Sequence, residues 1–402
     1  MKIFLITREP FPNGMAAVKR IIAYCKAWKK ENIEVEIIIY TRTERYGIKP
    51  RNIIGHGIYE TIPFRYIHDT PLRESFVLKR IWNDWIDFWR LKHYLREKLK
   101  AGDIVYSYGI NLKARDLIRI IHDKKAYYFL ELCELPFGTG DETKKRIKNR
   151  KKLERNILPL IDGIIVISDT LISYVKKYCS QCAFITKIPI LVEYDKYNMA
   201  DNSEESVVPY IFHSGTLYEQ KDGFLSMLKA FGKIVNDLPF DVKLISTGTP
   251  VGSKHETEII KILQDYNITD KVVFTGYLNN EDVRNYLSKA SFVIINKLPT
   301  QQNQYCFSTK LGEYMAASKA IITTDVGEAM NWLTHGENAY IVPANDVEAL
   351  GKAMKKLFLD KDLRKRLGIG ANKACKTFFS IEANSGKLKA AITINQNPYI
   401  HE

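Results

Sequence analysis

Short runs of β-branched and aromatic residues alternate with longer stretches of helical spacing along most of the chain. Lys2–Thr7 reads as a buried strand, and Pro10, Pro12, Asn13 and Gly14 mark the turn after it. Val18, Ile21, Ile22, Cys25 and Trp28 then recur at helical intervals, which predicts a helix over 16–30. Further strands are expected at 34–40, 103–106, 127–132, 163–167 and 184–188, most of them separated by helical segments. Alternation of this kind calls for a parallel sheet with helices on both faces. Residues 195–208 (DKYNMADNSEESVV) interrupt it with polar, acidic sequence and read as a linker. The alternation restarts with strands at 210–213, 241–246, 272–274, 292–295, 320–324 and 339–342. Helices are expected at 223–236, 255–266, 281–289, 309–317 and 347–358. The expected architecture is α/β, with two Rossmann-like doubly wound parallel-sheet domains facing a central cleft, where open sheets of this type bind ligands.

One stretch departs from the pattern. In 71–100, Trp82, Trp85 and Trp89 are spaced as on one helix face, among Lys and Arg at 79, 80, 90, 92, 96, 98 and 100. A basic amphipathic helix fits two settings, packed over a sheet or lying in a membrane interface. The 402 residues are enough for two domains, and 46% hydrophobic with 26% charged residues excludes a disordered chain. No uncharged apolar run reaches the roughly 18 residues of a membrane span, and Arg8 and Glu9 cut short the apolar start. A soluble, cytoplasmic protein is expected.

Charge adds a preference for anions. The net +14 is uneven, since 144–155 (KKRIKNRKKLER) carries +7. The run is either a patch for an anionic surface, such as the inner face of a membrane, or a solvated helix face. No aromatic residue is interleaved with it, so nucleic acid is not an expected partner. The six cysteines make no disulfide scaffold, and Cys179 and Cys182 form a lone CxxC in a polar loop.

The most informative chemistry lies at 307–325 (FSTKLGEYMAASKAIITTD). Ser308 and Thr309 suit the start of a helix, whose free N–H groups attract phosphate oxygens, and Lys310 adds a positive charge. Glu313 lies one turn further along the same face, where a carboxylate can accept two ribose hydroxyls. A second segment, 212–223 (FHSGTLYEQKDG), ends a strand at Gly215 and places Lys221 beside the start of a helix. Gly215 permits close backbone approach, and Lys221 is placed to meet a diphosphate.

These segments, with VFTGYL at 273–278, DVGE at 325–328 and HGENAYIV at 335–342, resemble the C-terminal domain of family-four retaining glycosyltransferases of the GT-B fold, in the bacterial surface-polysaccharide group. Pro12, Asn13 and Gly14, DGIIVIS at 162–168 and IPILVE at 188–193 extend the resemblance over nearly the whole chain. It implies a domain at 1–200 for the acceptor, a domain at 201–379 for a nucleotide-sugar donor, and a segment at 380–402 that crosses back onto the first. Residues from Asn395 onward read as a loose tail.

The resemblance further implies that Glu313 binds the donor ribose, that Ser308, Thr309 and Lys221 hold the diphosphate, and that Gly276 and Tyr277 border the base. Gly14 would lie over the sugar phosphate. No metal or cofactor is expected, and Asp360-Lys361-Asp362 reads as surface. The chain departs from the family in three places: Tyr305 stands where a first Glu is usual, Thr216 where an Arg is usual, and Cys133 where a His is usual, with Glu134 the nearest substitute carboxylate. The expected activity is retaining transfer from a UDP- or GDP-sugar to a hydroxyl on a glycan or lipid-linked acceptor. The alternative is a degenerate GT-B protein that binds nucleotide or glycan without turnover.

Overall fold

The computed structural model describes residues 1–138, 143–180, 183–198 and 205–393. Cys182, the centre of the expected linker and the tail beyond Asn395 lie outside these residues. The chain forms two compact units. The first comprises Met1–Leu191 and Ile381–Glu402, and the second Val192–Ser380.

The first unit is built on an eight-stranded sheet. Its strands are β1 (Lys2–Thr7), β2 (Glu34–Ile39), β3 (His56–Tyr59), β4 (Ile62–Tyr66), β5 (Ile104–Tyr108), β6 (Tyr127–Leu132), β7 (Gly163–Val166) and β8 (Phe184–Lys187). They run in the order β3-β4-β2-β1-β5-β6-β7-β8, parallel throughout except for the β3–β4 hairpin at one edge. The helices are α1 (Ala16–Lys30), α2 (Val77–Lys98), α3 (Ala114–Asp123), α4 (Lys144–Asn156) and α5 (Asp169–Val175). The strands are buried on both faces, as Ile3 and Leu5 on one face of β1 and Phe4 and Ile6 on the other show at 0–2% exposure. Trp28 of α1 packs edge-on against Tyr106, with ring centroids 5.0 Å apart.

The basic run at 144–155 forms α4, capped by the Thr143 hydroxyl, with Leu153 its buried residue. Helix α2 is helical as expected, but the Trp stripe does not pack on the sheet. Trp82, Trp85 and Trp89 are exposed, and the helix buries Asn83, Asp87, Phe88, Leu91 and Leu95 instead.

The second unit contains β9 (Tyr210–His213), β10 (Lys243–Ser246), β11 (Val272–Phe274), β12 (Phe292–Ile295), β13 (Ile321–Thr324) and β14 (Tyr340–Val342). All are parallel, in the order β11-β10-β9-β12-β13-β14. The chain winds outward from β9 in one direction, then returns to pair β12 on its other side. The topological switch point, where such sheets bind ligands, therefore lies at the carboxyl ends of β9 and β12. The helices here are α6 (Tyr194–Tyr197), α7 (Glu219–Asp222), α8 (Phe224–Ile234), α9 (Glu256–Asp265), α10 (Asn280–Lys289), α11 (Gln301–Tyr305), α12 (Thr309–Ala316), α13 (Val347–Leu359) and α14 (Lys361–Phe378). Asp360, expected at the surface, starts α14 by accepting a hydrogen bond from the Leu363 N–H at 2.8 Å.

The chain then re-enters the first unit as α15 (Ile381–Ile392), which lies against α1. Leu388 and Ile392 join the core around Trp28, whose indole N–H donates to the Leu388 carbonyl at 3.3 Å. Among the described residues, no helix is long and apolar enough to cross a membrane.

Candidate functional site

At the switch point of the second unit, three segments meet around one buried carboxylate, that of Asp222 at the end of α7. Thr216, in the loop after β9, donates its backbone N–H and its hydroxyl to Asp222 Oδ2, at 2.8 and 2.7 Å. Lys297, just after β12, donates to Asp222 Oδ1 at 2.6 Å and to the Lys221 carbonyl at 2.8 Å. Lys310, in the first turn of α12, reaches Oδ2 at 3.3 Å. Burial opposes ionisation of Asp222, but the Lys310 and Lys297 ammonium groups outweigh it and hold the carboxyl well below its usual range. The Lys310 ammonium is lowered, first by burial and then, against the pull of Asp222, by the charges of Lys297 and Lys221. Two ammonium groups thus share a single carboxylate.

Backbone fit explains why the cluster is so tight. A Cβ on Gly215 would come within 2.4 Å of the His213 ring and 2.8 Å of Lys310 Nζ, so only glycine lets the loop close over both. His213 is buried, with Nδ1 2.9 Å from Ser246 Oγ. Burial, then the Lys310 charge, push its pKa down to about 3, which keeps the ring neutral.

Helix α12 supplies the other part. Ser308 occupies its N-cap position, but the Ser308 side chain makes no capping hydrogen bond. The first-turn N–H groups are therefore left uncapped by that hydroxyl, and carry the positive end of the helix dipole. Glu313 is buried one turn further along. Tyr314 hydrogen-bonds back to the Ser214 N–H at 3.0 Å, which fixes α12 to the β9 loop.

Next to this cluster is a cavity of about 230 Å³, lined by Gly215, Thr216, Tyr218, Gly248, Lys254 and His255 among others. His255 is 7% exposed, with Nδ1 3.5 Å from a Glu258 carboxylate oxygen. Lys254 Nζ lies 5.1 Å over the Tyr218 ring.

Residues 208–360 match the family described as Glycosyl transferases group 1. Sucrose-phosphate synthase from Thermosynechococcus elongatus superposes with a TM-score of 0.74 over 97% of this chain and 98% of that one, at 16% identity. Anabaena Alr3699/HepE, solved in complex with UDP, does so at 0.70 over 98% and 100%, at 12% identity. The chain has the GT-B fold, and its second unit is similar to the group 1 glycosyltransferases. In sequence it is 27% identical over 168 residues to the lipopolysaccharide core biosynthesis glycosyltransferase LpsD of Rhizobium meliloti, which is 41% of this chain and 44% of that protein. The matched region thus spans less than half of that relative's length.

In this GT-B chain, Gly215, Thr216, Lys221, Ser308, Thr309, Lys310 and Glu313 all belong to the switch-point loops and α12. Lys221 itself is exposed. Gly276 exchanges backbone hydrogen bonds with Gly248, which joins the loops after β10 and β11, and Tyr277 projects at 71% exposure. Tyr305 is the last residue of α11, a helix held to the α7 turn by the Asn303 amide, which donates to the Gln220 carbonyl at 3.0 Å.

Gly14 and Glu134 are in the first unit. A Cβ on Gly14 would meet Val18 Cγ2 at 2.2 Å, so this glycine is required by its own turn. Glu134 is exposed after β6, and its charge, second to burial, raises the pKa of Glu9. Cys133 is a thiol pushed up by burial, 3.3 Å from Glu131.

Sequence reasoning missed Asp222 and Lys297. Lys297 had a legible signal, as the first cation after a strand that crosses to the far side of β9. Asp222 had none beyond its place before Gly223, where an acid looks like an ordinary helix-start residue.

Proposed function

We propose that this chain is a glycosyltransferase that moves a sugar from a nucleoside diphosphate donor to a hydroxyl acceptor, with retention of anomeric configuration. The observation that carries the reading is the pairing of Lys297 and Lys310 with the Asp222 carboxylate beside the start of α12, next in sequence to the exposed Lys221. A diphosphate leaving group gathers charge as the glycosidic bond breaks, and fixed ammonium and N–H groups stabilise it there. Glu313, one turn along, receives the ribose hydroxyls. A donor phosphate oxygen takes the acceptor proton, so no side chain is assigned as nucleophile. UDP in the HepE complex supports a uridine donor, and the likeness to LpsD, a lipopolysaccharide core biosynthesis glycosyltransferase, supports a glycan or lipid-linked acceptor.

The test is a thermal-shift panel of UDP, GDP, ADP and their sugar conjugates on the wild-type chain and on Glu313→Ala. One nucleotide series is expected to raise Tm, by mass action on the folded state, with most of the rise lost in the variant. Sugar release or transfer from that donor then reports turnover. No shift with any nucleotide at millimolar concentration would overturn the reading.

A further inference from the structure

The first part of α2 is built inside out. Asn83 and Asp87 face inward at 9% and 1% exposure; Asn83 Nδ2 makes no hydrogen bond, and Asp87 Oδ1 faces the His68 ring at 3.3 Å. The outward face carries Leu78, Ile81, Trp82, Trp85 and Trp89, at 67%, 63%, 62%, 58% and 52% exposure. At 3.6 residues per turn these five fall within an arc of roughly 100°, opposite the inward-facing Asn83 and Asp87. A helix whose only neighbour is its own unit gains by the reverse arrangement. Contiguous exposed aromatic and aliphatic side chains on this scale mark an interaction surface.

Charge decides what covers it. Residues 77–100 hold seven Lys or Arg against three Asp or Glu, one of these being the inward-facing Asp87. On the helix, Lys79 lies beyond one edge of the aromatic stripe, while Lys92 and Arg96 continue it toward the carboxyl end. A second copy docked face to face about a two-fold axis would set these cations against their own counterparts. An anionic lipid surface complements them, with indole rings at the level where headgroups meet acyl chains.

We propose that α2 lies in the interface of an anionic phospholipid bilayer, with Trp82, Trp85 and Trp89 inserted and Lys79, Lys92 and Arg96 on the headgroup phosphates. The basic helix α4 is not the anchor. It carries more charge but presents no exposed large apolar side chain, so what it adds is electrostatic and screened by salt. The inference stands apart from the transferase reading, because it rests on the first unit alone.

The experiment is co-sedimentation of the full chain with vesicles of phosphatidylcholine, with and without phosphatidylglycerol, at low and high salt. Three of the five tryptophans are on this face, so insertion is also read as a blue shift in emission and as quenching by lipids brominated in the acyl chain. Binding to the anionic vesicles is expected, with about a tenfold or greater loss of affinity in the triple variant Trp82→Ser, Trp85→Ser, Trp89→Ser. Replacing the α4 lysines by glutamine should lower affinity less and leave the blue shift intact. Melting temperature and nucleotide binding verify that each variant is folded. Equal vesicle binding by the triple variant and the wild type would overturn the proposal. So would self-association in place of vesicle binding, abolished by the same three substitutions.

Discussion

Thr216 gives both of its donors, the backbone N–H and the hydroxyl, to a single oxygen of Asp222. The residue in this loop is therefore part of the scaffold for Lys297 and Lys310, rather than a ligand for phosphate in its own right. Removing the carboxylate leaves two half-buried ammonium groups facing each other. Asp222→Ala is expected to cost about 3 kcal/mol, against about 1 kcal/mol for Thr216→Val, which removes only the hydroxyl donor. Urea unfolding of the two variants measures the difference, and equal losses would show that Asp222 is not the hub.

Acid should act on the same cluster. The folded-state pKa of Asp222 is depressed, so its contribution is present above the ordinary carboxylate range and lost as pH falls through the depressed value. His213 works at higher pH. Its pKa moves from 6.5 to about 3, burial being the main cause. The unfolded chain therefore takes up a proton that the folded chain refuses, and stability falls as pH drops from 6.5 toward 3. The slope from this group is at most about 1.4 kcal/mol per pH unit. His213→Gln should flatten the curve of unfolding free energy in that window and leave its slope above pH 7 unchanged. Parallel curves for the two proteins would contradict the assignment.

Gly215→Ala should separate binding from simple destabilisation. The new methyl group meets a buried ring that has no room to move and an ammonium group that has, so Lys310 is displaced. Nucleotide affinity is expected to fall about tenfold or more, because one charge-assisted contact is lost or weakened. Calorimetric titration of the folded variant measures it. Full affinity would place the diphosphate elsewhere.

The inward carboxyl of α2 gives a prediction of opposite sign. Burial raises the pKa of Asp87 from 3.8 to about 6. A raised carboxyl binds a proton more tightly in the folded state, so stability declines as pH rises from 3.8 to 6 and stays lower above. Asp87→Asn should stabilise the chain at pH 8 by about 2 kcal/mol and make little difference near pH 3.5. Melting curves at the two pH values decide it, and a loss of stability at pH 8 would overturn the account.

The strands were legible because a doubly wound sheet buries both faces, which writes short, continuous apolar runs such as Ile3 to Ile6 into the chain. The β3–β4 hairpin was not legible. Its two-residue turn is Glu60-Thr61, both at positive φ (45° and 72°), where Asn and Gly would have advertised it. Pro63 inside β4 also argues against a strand, and is accommodated because the pairing of β4 with β2 begins only at Phe64. Helix α14 was hidden by Gly368 and Gly370 within a highly charged stretch. A Cβ on Gly368 would stand 2.1 Å from the Ser318 carbonyl oxygen, so that glycine serves packing rather than a break. Of the site, the α12 segment was readable because cap, cation and carboxylate follow one another along one helix. The Asp222 hub was not, because its partners Thr216, Lys297 and Lys310 come from three separate segments.

The core around Trp28 is closed by α15, the last described helix, although almost all its other members precede residue 192. On the ribosome, the usual order in which the amino-terminal part folds first is therefore inverted. The second unit has every residue of its own sheet in hand while the first still shows bare indole and leucine. Any early stop codon that removes α15 thus damages the end of the protein made first.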